Sequence, residues 1–208
     1  MKVCQLPPLP IIMNHQVKWS LDTAHSQISF SVRHLMISEV RGLFRIFDAS
    51  IYTTGKDFST VQIELWIEAA SIFSGEAERD EKLRGADFFD VQHHPQINFI
   101  SNTIVQAGGN GDHQLWGDLT IKGITKNIPM NVKFGGIQNF QGNQVAGFTV
   151  SGSINRSDWN MNWNTAINTG GVMVGEEIFI ACNIELIKTD PSAMTMELAL
   201  SAFEKASL

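Results

Sequence analysis

The sequence predicts an all-β fold, an antiparallel sandwich or barrel, and two observations predict it. Apolar residues recur at every second position in seven or eight segments, which is typical of strands with one face in a core and one in water. Turn signals separate the segments at short intervals, as they do between strands joined by hairpins. These signals are Thr54-Gly55, Gly108-Gly109-Asn110-Gly111, Lys122-Gly123, Gly135-Gly136 and Gln141-Gly142-Asn143.

Five segments alternate most regularly, and each is predicted to turn its apolar face to the core. Cys182 belongs to the last of them and is interpreted as a small buried apolar residue that is not bonded to Cys4. The apolar faces are Ile28, Phe30, Val32, His34 and Met36; Val61, Ile63, Leu65 and Ile67; Leu115, Gly117, Leu119 and Ile121; Ile128, Met130, Val132 and Phe134; and Ile178, Ile180, Cys182, Ile184 and Leu186.

One short helix is predicted to interrupt the strands. Ser74 is a suitable N-cap, acidic residues follow it in the first turn, and Gly85 is suited to end the helix. Arg79 and Leu83 lie four residues apart and share one helix face. A second helical pattern covers residues 192–205, within a C-terminal tail at 189–208.

Composition and charge exclude several classes of protein. A chain of 208 residues suits one domain, and its net charge of −6 comes without a cluster of Lys or Arg, so no nucleic-acid partner is predicted. No apolar stretch reaches transmembrane length. Residues 1–16 are interpreted as a leader, and Met13 as an alternative start. Prolines interrupt the leader, which therefore lacks a secretory signal pattern, so the cytoplasm is the expected location.

No catalytic, metal-binding or cofactor motif is strong. Asp22, His25 and Ser26 suggest a triad, but a nucleophile must contact its base, and neighbours on a strand point to opposite faces. Asp22 and Ser26 are instead expected to bond the backbone at a turn. The adjacent His93 and His94 lack partners at ligand spacing and are assigned to a solvated loop. We therefore predict no catalytic residue, no metal and no cofactor.

His34 is the polar residue that alternation most clearly places on an apolar face, beside Phe30 and Val32. Two interpretations are open. A buried histidine usually bonds a neighbouring group and has no further role. Alternatively, it is one of the few polar groups that orient a ligand in an otherwise apolar pocket.

Four segments, taken in order, resemble the YceI-like family, and together they extend over about residues 17–188. They are WSLDTAHSQISFSVRHLMISEVRGLF (19–44), ERDEKLRGADFFDVQHHPQINFIS (78–101), GDLTIKGIT (117–125) and INRSDWNMNWNTAINTGGVMVGEEIFIACNIELIK (154–188). Two positions depart from the family pattern. Asn160 stands where glycine is usual, although asparagine also tolerates positive φ. Lys82 stands where many members have histidine.

The resemblance implies an extended eight-stranded antiparallel lipocalin-like barrel over residues 17–188, with a short helix across one mouth. It implies an elongated apolar pocket for an isoprenoid, quinone or fatty-acid-like chain, and no catalytic residues. Members often form homodimers, and the outer-face residues Trp66 and Phe179 favour the same expectation here. Many members are periplasmic, an alternative to the cytoplasmic location.

The predicted function is therefore a non-catalytic carrier of a long apolar amphiphile held inside the barrel. Two alternatives remain open: an enzyme that acts on a small lipid-like substrate in the same cavity, and a structural or interaction domain whose barrel is filled. The residues predicted to contact the ligand are Phe30, Val32, His34, Met36, Phe44, Arg79, Leu83, Phe88, Phe99, Leu119, Met161 and Trp163.

Overall fold

A computed structural model of the protein describes residues 16–55, 57–108, 112–166 and 172–189. It contains eleven strands, one α-helix and two 3₁₀ turns. The leader, apart from Gln16, and the tail, apart from Thr189, lie outside the described residues, and so does the expected second helix. The strands are β1 (Gln16–Leu21), β2 (Gln27–His34), β3 (Ser38–Phe44), β4 (Phe47–Thr54), β5 (Asp57–Glu68), β6 (Ile72–Phe73), β7 (Gln96–Gln106), β8 (Asp112–Ile121), β9 (Ile124–Phe140), β10 (Asn143–Asn155) and β11 (Val174–Lys188); the helix is α1 (Ala77–Arg84), and the 3₁₀ turns are Ala69–Ser71 and Arg156–Trp159.

The eleven strand segments make up the eight antiparallel strands of one closed barrel. β1 and β2 both pair with the same edge of β11, so together they form one barrel strand with a kink between them. β3 and β4 form the next barrel strand, because β3 pairs with β2 and β4 with β1. β5 and β6 form a third, and the pairing of β1 with β11 closes the ring. The predicted eight-stranded antiparallel barrel is confirmed.

The predicted alternation holds along β2 and stops at its end. Ile28 and Val32 are buried, whereas Leu35 and Met36 adopt left-handed φ values of 51° and 62° in the turn to β3. The strand therefore ends at His34, and Met36 is 59 % exposed. The prediction that the inward face of β2 continues to Met36 is wrong, because a hairpin turn replaces the last two strand residues.

Helix α1 begins two residues later than its sequence signal indicates. Glu76 is the N-cap, and its carboxylate accepts hydrogen bonds from the backbone N–H groups of Glu78 and Arg79. Ser74, the predicted cap, instead donates through its backbone N–H and hydroxyl to the buried carboxylate of Asp80. The predicted C-terminal end at Gly85 is confirmed.

The helix lies across one end of the barrel, which is here called the helix end. Arg84 anchors α1 by donating to the backbone carbonyls of Ala70 and Ile72. The opposite end carries the turns β4–β5, β7–β8 and β9–β10 and is here called the hairpin end. No helix among the described residues is long and apolar enough to cross a membrane.

Candidate ligand cavity

An elongated cavity of about 280 Å³ follows the barrel axis between the two ends. Apart from Ser29 and Arg156, the lining residues are apolar. Along β11 the lining runs from Val174 to Leu186. With a strand rise of about 3.3 Å per residue and a tilt of about 40°, this span is roughly 30 Å of barrel length. The cavity is therefore a tube, long in proportion to its volume.

The inward side chains of this barrel do not fill it. Buried core residues would be shielded on all sides, yet several inward apolar residues are only half-buried because one side of each faces the tube. These residues are Phe30, Ile63, Leu65, Phe148, Val150 and Ile180. An internal cavity is the feature that distinguishes a ligand-binding barrel from the filled-barrel alternative.

Glycines beneath large side chains help to set the width of the tube. A Cβ atom built on Gly117 would lie 2.2 Å from Phe99 Cζ and 2.7 Å from the carbonyl oxygen of Ile100. The Phe99 ring thus lies directly over Gly117 on the neighbouring strand. Phe30 covers Gly42 and Met130 covers Gly152 in the same way. Each large side chain therefore lies flat against the wall, because the glycine leaves room for it.

The helix end is closed by packed aromatic rings and a cation. Phe88 contacts the ring of Trp163, with 5.7 Å between the ring centroids. Lys82 Nζ lies 3.2 Å from the centroid of the same Trp163 ring. Phe89 packs edge-on against Phe44 inside the tube. Leu83 extends from α1 into the same cluster. These contacts pack the helix and the segment around Trp163 over this end of the barrel.

Arg156 is the charged residue in the cavity wall, and it is only 2 % exposed. Its guanidinium donates hydrogen bonds to the backbone carbonyls of Gly175, Met161 and Trp163 and to the carboxylate of Glu176. These bonds hold the segment after β10 against the start of β11. Because four donor contacts are directed to the protein, the guanidinium is a structural clamp rather than a group directed at the tube.

Eight of the twelve predicted ligand-contact residues line the tube: Phe30, Val32, Phe44, Leu83, Phe88, Phe99, Leu119 and Met161. The other four do not. His34 lies half-buried at the end of β2, Met36 is in the exposed turn, and Trp163 packs behind Phe88. Arg79 is directed away from the tube, because its guanidinium donates to the hydroxyl and the carbonyl of Ser74.

The hairpin end holds a residue that alternation places on the wrong face. On β5 the odd-numbered residues Val61, Ile63 and Leu65 face the tube, yet Phe58 lines it as well. Thr54 pairs with Asp57 while Tyr52 pairs with Gln62, so residues 58–61 stand opposite the single residue 53. Such a bulge re-aims a side chain, and here it turns Phe58 inward.

Hydrogen bonds within the bulge fix its shape. The Asp57 carboxylate accepts from the backbone N–H of Ser59 at 2.8 Å, and the Thr60 hydroxyl donates to the Asp57 carbonyl at 2.8 Å. The Phe58 ring then packs among three aromatic rings, those of Trp19, Phe134 and Phe148, at centroid distances of 5.0, 5.7 and 4.9 Å. Phe58 therefore stands in the tube at its hairpin end.

A second recess of about 160 Å³ opens beside Phe58. It shares four wall residues with the tube, and Phe134 completes it together with three polar residues: Asp57, Ser59 and His113. The shared residues are Phe58, Ile104, Val132 and Phe148. Hydrogen bonds from Ser59 and the nearby charge of His113 lower the pKa of Asp57. The recess thus adjoins the tube through four shared apolar residues and adds three polar ones.

The residues considered for a triad lie on the outer wall, at the kink between β1 and β2. The Asp22 carboxylate accepts hydrogen bonds from the backbone N–H groups of Ala24 and His25, as expected for a turn. The Ser26 hydroxyl bonds the backbone of Glu185. Side-chain ligand atoms of Asp22, His25 and Glu185 lie within 4.8 Å of one another, and the internal bonds of the turn account for this arrangement.

Asp22 raises the pKa of His25 above its ordinary value through a 2.9 Å hydrogen bond and its charge, and the charge of Glu185 adds to the effect. A raised folded-state pKa stabilises the fold below the unfolded pKa, about 6.5, and this contribution is lost as pH rises through the folded pKa. We expect Asp22→Asn to lower the pKa of His25 in an NMR titration. An unchanged titration curve would show that the pair does not form in solution.

Comparison with known proteins identifies the family of this barrel. A model of the YceI-like domain family matches residues 19–186, which are nearly the whole of the barrel. The chain belongs to the YceI-like family. A UPF0312 protein of Staphylococcus aureus (strain MSSA476) is 36 % identical to this YceI-like chain over 169 residues, which cover 80 % of this chain and 95 % of that protein.

Solved structures share the YceI-like fold. BcnA of Burkholderia cenocepacia is 25 % identical, with a TM-score of 0.67, and the match covers 79 % of this chain and 98 % of BcnA. A YceI protein of Campylobacter jejuni is 27 % identical, with a TM-score of 0.64 over 82 % of this chain and 97 % of that protein. A polyisoprenoid binding domain from Saccharophagus degradans is 14 % identical, with a TM-score of 0.60 over 82 % and 98 %, and this likeness concerns the fold alone.

Proposed function

We propose that this YceI-like protein is a non-catalytic carrier that holds the tail of a long apolar amphiphile in the tube of its barrel. The observation that carries the proposal is the tube itself, whose half-buried apolar walls leave about 280 Å³ between them. Removing apolar surface from water lowers the free energy by about 25 cal/mol per Å², so such walls favour a hydrocarbon chain over any polar ligand.

The length of the tube favours a long chain. A bilayer has a hydrocarbon core about 30 Å thick, which two leaflets of acyl chains share. The lined span of roughly 30 Å therefore exceeds what a single acyl chain fills. An isoprenoid or isoprenoid-quinone tail of several units suits this length, and the polyisoprenoid-binding domain with the same fold supports that chemical class.

The character of the walls supports binding rather than catalysis. General acid–base or nucleophilic chemistry needs titratable groups within hydrogen-bond reach of the reacting atoms. Within the described part of the chain, the titratable groups of the tube wall are Arg156, which clamps the backbone, and Cys182. Burial raises the pKa of the Cys182 thiol to about 12, so it is a poor nucleophile.

A filled tube should no longer bind. Ala49 is a small residue of the tube wall on β4, and Ala49→Phe places a ring inside the tube. Overpacking costs about 1–3 kcal/mol, so we expect geranylgeraniol to bind about tenfold to a hundredfold more weakly. Displacement of an apolar fluorescent dye measures the affinity, and mass spectrometry of organic extracts measures the lipid that co-purifies.

Ala181→Phe is the matched control, because it makes the same chemical change outside the tube. Ala181 is exposed on the outer face of β11. Ala181→Phe should bind like the natural sequence. Equal binding by Ala49→Phe, with both variants folded by circular dichroism, would contradict the proposal. So would the absence of any lipid from extracts of protein purified from several hosts.

We also propose that the protein is a homodimer through its outer wall. Trp66, Ile100 and Trp116 are exposed on the adjacent strands β5, β7 and β8, and each is a diagonal neighbour of the next. Contiguous exposed apolar side chains of this kind mark interaction surfaces. Phe179, the second residue on which the sequence-based expectation of a dimer rests, is exposed on β11, away from this group.

Light scattering at micromolar concentration should report twice the mass of the chain. Ile100→Lys places a charge in the centre of the proposed interface and should yield a monomer, since a buried unpaired charge is costly. Phe179→Lys is the control and should remain a dimer. A monomeric natural protein would contradict the proposal.

A further inference from the structure

The recess at the hairpin end brings polar side chains next to the tube. It shares Phe58, Val132 and Phe148 with the tube wall, and its lining also includes Asp57, Ser59 and His113. The tube itself is lined by apolar residues apart from Ser29 and Arg156, and the Ser29 hydroxyl donates to the backbone of Ala181. An amphiphile held in the tube therefore meets accessible polar side chains where the tube joins this recess.

At the helix end, three cations of the described part of the chain donate to the protein itself: Arg79 to Ser74, Arg84 to two backbone carbonyls, and Lys122 to the carbonyl of Ala86. Lys82 lies over the ring of Trp163. These contacts fasten the helix and the segment that follows it over the barrel. A polar head at this end would have to displace them.

The bulge of β5 serves the recess in two ways. It turns Phe58 inward, so that its ring lines both the tube and the recess, and it places Asp57 in the lining of the recess. An ionised carboxylate only accepts hydrogen bonds. The complementary head is a hydrogen-bond donor, whereas an anionic head would be repelled at short range.

We propose that the recess lined by Asp57, Ser59 and His113 is the head-group site of the carrier, and that it selects an uncharged, hydroxyl-bearing head over an anionic one. The proposal rests on the proposed function, because it assumes that the tail occupies the tube. The ligand class becomes a long isoprenoid alcohol, and carboxylic acids and phosphate esters of the same chain are disfavoured.

Two probes with the same tail test this site: geranylgeraniol and geranylgeranoic acid, compared at pH 8, where the acid is ionised. Asp57 is exposed, so solvent screens its charge, and we expect the alcohol to bind about fivefold more tightly. Asp57→Asn keeps the acceptor for Ser59 but removes the charge. It should bring the two affinities to within about 1.5-fold, chiefly by improving the binding of the acid.

Asp48→Asn is the matched control. Asp48 is an exposed strand carboxylate that also accepts a backbone N–H, from Ala49, but it lies outside the recess. The preference for the alcohol should persist in this variant. Equal binding of both probes by the natural protein, or a preference for the acid, would overturn the head-group site while leaving the carrier function intact. If neither probe binds, the proposed function fails, and this inference fails with it.

Discussion

Arg156→Met is expected to lower the free energy of unfolding by about 3–5 kcal/mol, because it removes one partner of a buried, fully engaged charge network. Methionine keeps most of the apolar stem but no donor. The carbonyls of Gly175, Met161 and Trp163 then lose the guanidinium, and each buried acceptor without a partner costs about 1–3 kcal/mol. The melting temperature should fall by on the order of 10 °C.

Glu176→Gln separates the clamp from the ion pair. The Glu176 side chain is half exposed, so its charge is screened by solvent, and glutamine keeps an acceptor for Arg156. Its expected cost is below about 1 kcal/mol. Urea unfolding followed by circular dichroism measures both variants. Similar stabilities for Arg156→Met and the natural protein would mean that the three backbone contacts do not hold the segment after β10.

The second large effect is expected at Gly117. Valine there would place its Cβ atom 2.2 Å from Phe99 Cζ and 2.7 Å from the carbonyl oxygen of Ile100, so the ring and the neighbouring strand must both move. Overpacking of this kind costs about 1–3 kcal/mol, and a clash with backbone falls at the upper end. We therefore expect Gly117→Val to destabilise the protein by about 3 kcal/mol.

Gly147→Val provides the comparison, because a Cβ atom on Gly147 meets nothing within 4 Å. Its stability in urea should remain close to that of the natural protein. The double variant Gly117→Val, Phe99→Ala should recover part of the loss caused by Gly117→Val, since alanine vacates the space that valine needs. If the stability lost by the double variant equals the sum of the losses of the two single variants, the ring and the glycine do not compete for the same volume.

The alternation of β2 and β11 predicts most of the side chains that face the tube, because a strand with one buried face has a fixed period, although His34 at the end of β2 does not line it. It failed where the backbone leaves that period. Met36 lies in a turn with two successive left-handed residues, a geometry with no glycine or asparagine signal in the sequence. Asn160, by contrast, adopts φ of 55°, as its tolerance of the left-handed region predicts.

Two residues of the site had no readable signal. Phe58 faces the tube only because a bulge reverses the parity of β5, and sequence does not reveal where two strands lose register. Arg156 belongs to the quoted motif, but its role depends on carbonyls that the segment after β10 and the start of β11 bring together. Arg79 is predicted to contact the ligand because it shares a helix face with Leu83, but its bond to Ser74 depends on where the helix begins.

Closure of the barrel between β1 and β11 has a consequence for how the chain is made. Most neighbouring barrel strands are joined by short hairpins and can pair as soon as they leave the ribosome. Trp19, however, cannot meet Lys188 until synthesis of the domain is nearly complete. Contacts between distant parts of a chain form slowly, and an unpaired strand edge invites association with other chains. Until β11 has been made, the nascent protein thus exposes the edges of β1 and β2 and the apolar interior of an open sheet, and the barrel can enclose a ligand only after that point.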